Sequence, residues 1–163
     1  MLRALYPGSF DPPTNGHLNL IERGSRIFNE IDIVVASNIT KQYTFTAEER
    51  VEMMEELVKG FDNVHVHRWD QLIVQFAQKV GAHIIIRGVR ALSDFAFEFE
   101  LSMLNKGLNP EVETMFLPTD PQYFVLRSRS IKELARLGGD ISSMVPPNVA
   151  KALYDRLGQG STQ

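Results

Sequence analysis

With 163 residues, 44% of them hydrophobic and 23% charged, and no cysteine, the chain suits one compact domain that folds without disulfides and uses no thiolate as nucleophile or metal ligand. A formal charge of −3 argues against a general affinity for nucleic acid or anionic membranes. The longest apolar runs, "IDIVVA" and "HIII", are of strand length rather than membrane-spanning length.

The opening "MLRALYPG" has one arginine and too short an apolar stretch for a secretory leader, so a cytoplasmic location is expected. A strand is predicted from Leu2 to Tyr6, then a loop dense in proline and glycine, then a helix from His17 to Phe28 and a buried strand at "IDIVVAS". "TAEERVEMMEELVKG" reads as a helix in which Thr46 and Glu49 form a capping box, Gly60 marks the stop, and Val51, Met54, Leu57 and Val58 form the apolar stripe. Next come a strand at "NVHVH", a helix at "DQLIVQFAQKV" closed by Gly81, and a continuous apolar strand at "HIIIR". "SDFAFEFELSMLNKGL" reads as a helix, "VETMFL" as a strand, and "SRSIKELARLGG" and "PPNVAKALYDRL" as two further helices. The tail "GQGSTQ", residues 158–163, is expected to fray.

This alternation predicts an α/β, Rossmann-like open parallel sheet of about five strands with helices on both faces, spanning residues 1–163 as one domain. Ligands of such sheets bind beyond the carboxyl ends of the strands, where strand order reverses. The loops to inspect are therefore 7–16, 38–46, 88–93 and 118–127, and Lys41, Arg87, Arg90, Arg127 and Arg129 all lie in or beside them.

The first of these loops runs into a helix, whose N-terminal amides and dipole suit phosphate. Gly8 and Gly16 are expected to let backbone approach a ligand, while Pro7, Pro12 and Pro13 stiffen the path. Neither G-x-G-x-x-G nor G-x-x-x-x-G-K-[ST] is present; the loop instead reads "TNGH" from Thr14 to His17.

In this motif the chain resembles the nucleotidylyltransferase superfamily, whose [HT]-x-G-H follows the first strand of a Rossmann-like fold. "YPGSFDPPTNGH", "TAEER" preceded by a lysine, "IIIRGVRALSDFAFEFEL" and "GGDISSMVPPNV" extend the likeness to the bacterial phosphopantetheine adenylyltransferase family over nearly the whole chain. The resemblance implies an enzyme of coenzyme A synthesis that joins the AMP part of ATP to 4'-phosphopantetheine, giving dephospho-coenzyme A and pyrophosphate. Such a transfer needs no protein nucleophile, only two polyanions held in line and neutralised.

The same resemblance assigns catalytic roles to His17, Lys41 and Arg90. It puts Ser9 and Phe10 beside ATP and the attacking phosphate, His17 on the triphosphate, and Gly88, Val89, Arg90 and Glu98 on ATP, with Glu98 towards the nucleoside end. Ser9, Lys41, Ile73 and Arg87 fall on the pantetheine side. Tyr123, Phe124, Val125, Leu126, Arg127, Ser128 and Arg129 form the last ATP loop. Here the family usually reads close to S-F-I-S-S-S-L-V-K-E, so Arg127 and Arg129 stand where small hydroxyl residues are usual. Magnesium is implied as an ion carried on ATP phosphates, and a homohexamer as the assembly, with no nucleic-acid or membrane partner.

Plainer readings stand beside these. Arg87 can pair with Asp94 or Glu98 while still facing a ligand. His65 and His67 share one strand face as two zinc ligands would, but with no third ligand apparent an edge-strand surface is expected. Phe95 and Phe99, four apart, share one side of a helix whose surplus apolar area suggests a subunit interface. The alternatives to adenylyl transfer to phosphopantetheine are another nucleotidylyltransferase, of the nicotinamide mononucleotide or cytidylyl type, and a nucleotide-binding protein without catalysis. Against the cytidylyl type, its R-T-x-G-I-S-T-T segment is absent.

Overall fold

Residues 1–38 and 40–158 are described by a computed structural model. Of the expected frayed tail, residues 159–163 lie outside the described residues, and Gly158 caps the last helix. The elements run β1 (Arg3–Gly8), α1 (Asn15–Ser25), β2 (Glu30–Ala36), α2 (Ala47–Val58), β3 (Val64–Trp69), α3 (Ile73–Val80), β4 (Ile84–Val89), α4 (Leu92–Leu108) and β5 (Glu113–Pro118). A 3-10 turn at Pro121–Tyr123, α5 (Ser128–Arg136) and α6 (Pro147–Leu157) follow.

The strands form one parallel sheet in the order β3-β2-β1-β4-β5. The chain winds outward from β1 to β3 and then returns, so β4 lands on the other side of β1 and the strand order reverses between these two. Alternation along the strands sends Ala4, Tyr6, Ile31, Ile33 and Val35 towards α1 and α2, where Leu20, Ile21 and Met54 meet them. Leu5, Val34 and Ile85 face the opposite side, against Phe76 and Ala77 of α3. A third apolar cluster, built on α5 and α6, encloses Phe45 and Leu126 and so ties two of the strand-end loops to the carboxyl-terminal helices.

Several boundaries differ from the sequence reading for identifiable reasons. β1 runs two residues past Tyr6, through Pro7 and Gly8, paired with β2 throughout, whereas β4 pairs with it only at Ala4 and Leu5. Pro7 has no N–H to give, and its place beyond the β1–β4 pairing makes it acceptable in a central strand. α1 starts two residues before His17 and ends at Ser25, because the Ile27 and Phe28 amides both turn back to the Gly24 carbonyl. α2 carries the predicted capping box but stops at Val58, and Gly60 does not adopt the left-handed backbone that Gly81 uses to close α3. α3 starts at Ile73 rather than Asp70, since Leu72 is extended.

β3 is an edge strand, and its two histidines are held by carboxylates of β2: His65 Nε2 lies 2.6 Å from Glu30 and His67 Nε2 lies 2.7 Å from Asp32. α4 contributes no buried residue; Leu92, Phe97, Met103, Leu104 and Leu108 are all exposed, and Phe95 stacks near Phe99 as its spacing predicts. Among the described residues no helix is long and apolar enough to cross a membrane.

Candidate active site

Where β1 and β4 part, a cavity of about 410 Å3 opens at their carboxyl ends. Its floor is Tyr6 to Phe10 on one side and Arg87 and Gly88 on the other, with Thr14, Gly16 and His17 of the α1 entrance above it. Lys41 reaches in from the loop after β2, and Tyr123, Leu126, Arg127 and Ser128 close the far end. Loops widely spaced in the sequence thus meet at the reversal point of the sheet.

The "TNGH" motif is itself a capping box, with histidine at the position more often held by Glu or Gln. Thr14 Oγ1 accepts from the His17 amide, and the Thr14 amide donates to His17 Nδ1 at 3.0 Å. Because Nδ1 is an acceptor, the neutral ring carries its proton on Nε2. Burial, aided by the charges of Arg90 and Arg87, lowers the imidazole pKa from 6.5 to about 4, so at neutral pH the ring is an uncharged donor. Nε2 has no partner among the described residues, yet no buried side-chain nitrogen or oxygen lacks one, so this N–H opens into the cavity. Phe10, at a φ of 47° and almost wholly buried, sets its ring edge-on to His17 at 5.0 Å between centroids and to Tyr6 at 5.5 Å. A left-handed backbone at a non-glycine residue costs on the order of 1–3 kcal/mol, so the loop spends stability on placing that ring.

The glycine reading changes accordingly. A Cβ on Gly8 would lie 2.8 Å from Phe10 Cζ, and one on Gly88 would lie 2.4 Å from Leu20 Cδ1. Both glycines serve the packing of neighbouring side chains. Gly16, which meets only ordinary contacts, lines the cavity as expected.

Arg87 and Arg90 are each held by a carboxylate and a backbone carbonyl. Arg87 makes a two-pronged pair with Glu98, both bonds 2.6 Å, and donates through Nη1 to the Pro7 carbonyl at 2.6 Å. Arg90 pairs with Asp94 at 2.9 Å and donates to the Leu126 carbonyl at 2.7 Å. Lys41 Nζ lies 3.2 Å from Ser9 Oγ, joining two residues that the sequence reading placed on one phosphate. Ser128 Oγ donates to the Pro12 carbonyl at 3.1 Å, fastening the start of α5 to the opening loop.

Of the residues singled out from sequence, Ser9, Phe10, His17, Lys41, Arg87, Gly88, Arg90, Glu98, Tyr123, Leu126, Arg127 and Ser128 line this one cavity. Phe10 does so as part of the core. Val89, Phe124, Val125 and Arg129 do not line it: Phe124 and Val125 are exposed, and Val89 ends β4 with its carbonyl accepting from Thr119. Ile73 lines a second hollow of about 150 Å3, with Leu101 and Asn105, and the Arg87–Glu98 pair lies in the wall between the two.

Two buried residues escaped the sequence reading. Asp11 accepts from the amides of Thr44 and Phe45 and from Lys132 Nζ at 3.0 Å, tying the opening loop to the loop after β2 and to α5. Arg50 occupies the buried face of α2, four residues before Met54, where the apolar stripe was expected to begin at Val51. An arginine in phase with a core stripe was the available signal.

A parallel sheet with a donor-rich cavity at its reversal point and a T-x-G-H helix entrance defines a nucleotidyltransferase. The cytidylyltransferase-like family model matches residues 5–134, and the chain belongs to that family. A provisionally assigned nicotinate-nucleotide adenylyltransferase from Vibrio parahaemolyticus has the same fold, with a TM-score of 0.69 at 21% identity over 95% of this chain and 93% of that one. Within the family the position is narrower. The chain is 48% identical to the phosphopantetheine adenylyltransferase of Finegoldia magna, covering 94% of this chain and 95% of the relative. It is 46% identical to that of Dictyoglomus thermophilum (97% and 96%) and 47% identical to that of Staphylococcus haemolyticus (94% and 96%). It is a member of the phosphopantetheine adenylyltransferase family.

Proposed function

We propose that this chain transfers the adenylyl group of ATP to 4'-phosphopantetheine, releasing pyrophosphate and forming dephospho-coenzyme A. The observation that carries the proposal is the gathering of His17, Lys41, Arg87 and Arg90 around one cavity at the point where the sheet reverses. An oxygen of the acceptor phosphate attacks the α-phosphorus, and the bond from that phosphorus to the bridging oxygen of the leaving pyrophosphate breaks. The attacking phosphate is already an anion, so no general base is required, and the protein contributes position and charge.

Lys41 and Ser9 hold the attacking phosphate. His17 donates Nε2–H to an oxygen on the α-phosphorus, where negative charge grows in the transition state. Arg90, fixed by Asp94 and the Leu126 carbonyl, faces the leaving phosphates together with the first amides of α5, which no side chain caps. Arg87 stands between the cavity and the smaller hollow. The amide-bearing arm of the acceptor suits that hollow, which offers apolar Ile73 and Leu101 and the Asn105 amide. Val89 contributes through its backbone at the end of β4, and the exposed Phe124, Val125 and Arg129 frame the outer rim of the ATP loop.

Asp94 and Glu98, the carboxylates of the cavity wall, are both engaged by arginines, and this donor set suits magnesium borne on triphosphate oxygens and water. When bound, the ion would neutralise charge on the departing pyrophosphate. The chain works as one domain in the cytoplasm. A second copy covers the exposed apolar face of α4, in keeping with a homohexamer, and sedimentation would report that assembly.

The direct test is pyrophosphate release from ATP and from CTP with 4'-phosphopantetheine, nicotinamide mononucleotide or no acceptor. Release confined to ATP with 4'-phosphopantetheine is the expected result; ATP binding without turnover on any acceptor would contradict it.

A further inference from the structure

Arg50 is 1% exposed, and among the described residues it has no carboxylate partner within salt-bridge distance. A buried, unpaired charge is costly, and here the guanidinium is offset almost wholly by backbone. Its Nη1 donates to the Ser9 carbonyl at 2.6 Å and to the Ala36 carbonyl at 3.0 Å, Nη2 to Ser37 Oγ at 2.9 Å, and Nε to the Thr46 carbonyl at 3.3 Å. The group also lies over the Tyr43 ring, 4.1 Å from its centroid, while Lys41 Nζ sits 5.5 Å from the same centroid. Tyr43 Oη in turn accepts from the Asn38 amide at 2.7 Å, closing the loop after β2 around the ring.

One side chain therefore grips the loop that carries Ser9 and, through Tyr43, the loop that carries Lys41. Met54 and Val58, on the same face of α2, pack into the apolar core, so Arg50 is the polar exception on that face. Burial lowers the pKa of Arg50 from its usual value, yet an arginine remains charged at neutral pH. The planar fork spreads three nitrogens over the Thr46 carbonyl, the Ser9 and Ala36 carbonyls and Ser37 Oγ, a spacing that the single nitrogen of a lysine does not reproduce.

We propose that Arg50 is the positioning residue that sets the Ser9–Lys41 separation, and hence the seat of the attacking phosphate. The inference rests on the role given above to Ser9 and Lys41. It differs from a general stabilising role in that its effect must pass through Lys41 and fall on the acceptor rather than on ATP.

The test is steady-state kinetics of pyrophosphate release by the full chain, with ATP and 4'-phosphopantetheine varied separately, for wild type, Arg50→Lys, Lys41→Ala and the double variant. Melting curves and calorimetric ATP titrations accompany each variant. Arg50→Lys is expected to raise KM for 4'-phosphopantetheine and lower kcat, together about 10- to 100-fold, as a displacement of about an ångström would. Its affinity for ATP should stay within about twofold of wild type, and in the Lys41→Ala background the same change should cost less than about twofold, since neighbours that act as a unit are not additive.

Wild-type kinetics for Arg50→Lys, equal losses for ATP and acceptor, or additive losses in the double variant would overturn the proposal. Should Arg50→Lys fail to fold, Tyr43→Leu, which removes the ring between Arg50 and Lys41, must give the same acceptor-specific loss; wild-type kinetics there overturns it as well. Absence of turnover by the wild-type chain would overturn the parent reading and this inference with it, whereas turnover unchanged in the variants overturns this inference alone.

Discussion

The cavity lies between two helix entrances built in opposite ways. At α1 the entrance is closed on itself: Thr14 and His17 satisfy each other's amides, Phe10 is buried against both Tyr6 and His17, and Asp11 anchors the loop to its neighbours. At α5 no side chain caps the first turn, Phe124 and Val125 are exposed, and the approach is held by the Arg90 bond to the Leu126 carbonyl and the Ser128 bond to Pro12. One entrance turns two of its amides inward to aim a single imidazole. The other leaves its amides open to an anion. Aiming a reacting contact needs rigidity, whereas holding a departing polyanion needs available donors and room for it to leave.

That contrast predicts unequal consequences for the same kind of damage. The largest should follow His17→Ala: kcat for pyrophosphate release should fall by about 10²- to 10³-fold, as on removal of one transition-state donor, with the fold retained by circular dichroism. A loss below about fivefold would mean that the α1 entrance does not aim the imidazole at reacting atoms.

The next effect is on stability. His17 resists protonation in the folded chain down to about pH 4, whereas the unfolded chain takes up that proton near pH 6.5. The unfolded state therefore binds more protons in this window, and stability must drop as pH falls from 6.5 to 4, by about 2–3 kcal/mol from this group. Urea melts of wild type and His17→Gln across that range should show the extra slope only in wild type; parallel curves would contradict the neutral, half-buried ring.

A smaller effect is expected for Thr14→Ala, which removes the cap oxygen but leaves the backbone bond to Nδ1. It should cost about 1 kcal/mol in denaturant melts, as lost caps do, with a modest fall in kcat. The smallest belongs to the open entrance: Arg129 does not line the cavity, so Arg129→Ala should leave KM for ATP within about twofold, as surface changes usually do. A tenfold rise would bring Arg129 into the phosphate site.

How much of this was legible in the sequence depends on how local the determinant is. Strands such as "IDIVVA" and the cap pair of Thr46 and Glu49 declare themselves within a few residues, and both are where their pattern placed them. Gly81 closes α3 for the same reason: a left-handed turn is a local demand. Pro7 was misleading because its tolerance in β1 depends on where β4 stops pairing, about 80 residues downstream. Gly8 lines the cavity, but its missing side chain is also required by the Phe10 ring, which only the folded loop reveals. The Thr14–His17 pair had the spacing of a capping box in plain view, hidden by histidine in the place of glutamate. Arg50 stood in phase with the α2 stripe, a signal of burial but not of role, and Asp11 left none; both act mainly by gripping backbone of distant loops, and backbone partners leave no residue-type signature.

The central claim is that the protein positions two phosphates for direct exchange and never carries the adenylyl group itself. The most direct measurement is the configuration at the α-phosphorus after transfer from a chiral ATP α-thiophosphate to 4'-phosphopantetheine. A single in-line displacement predicts inversion; retention, or recovery of an adenylylated protein, would contradict it.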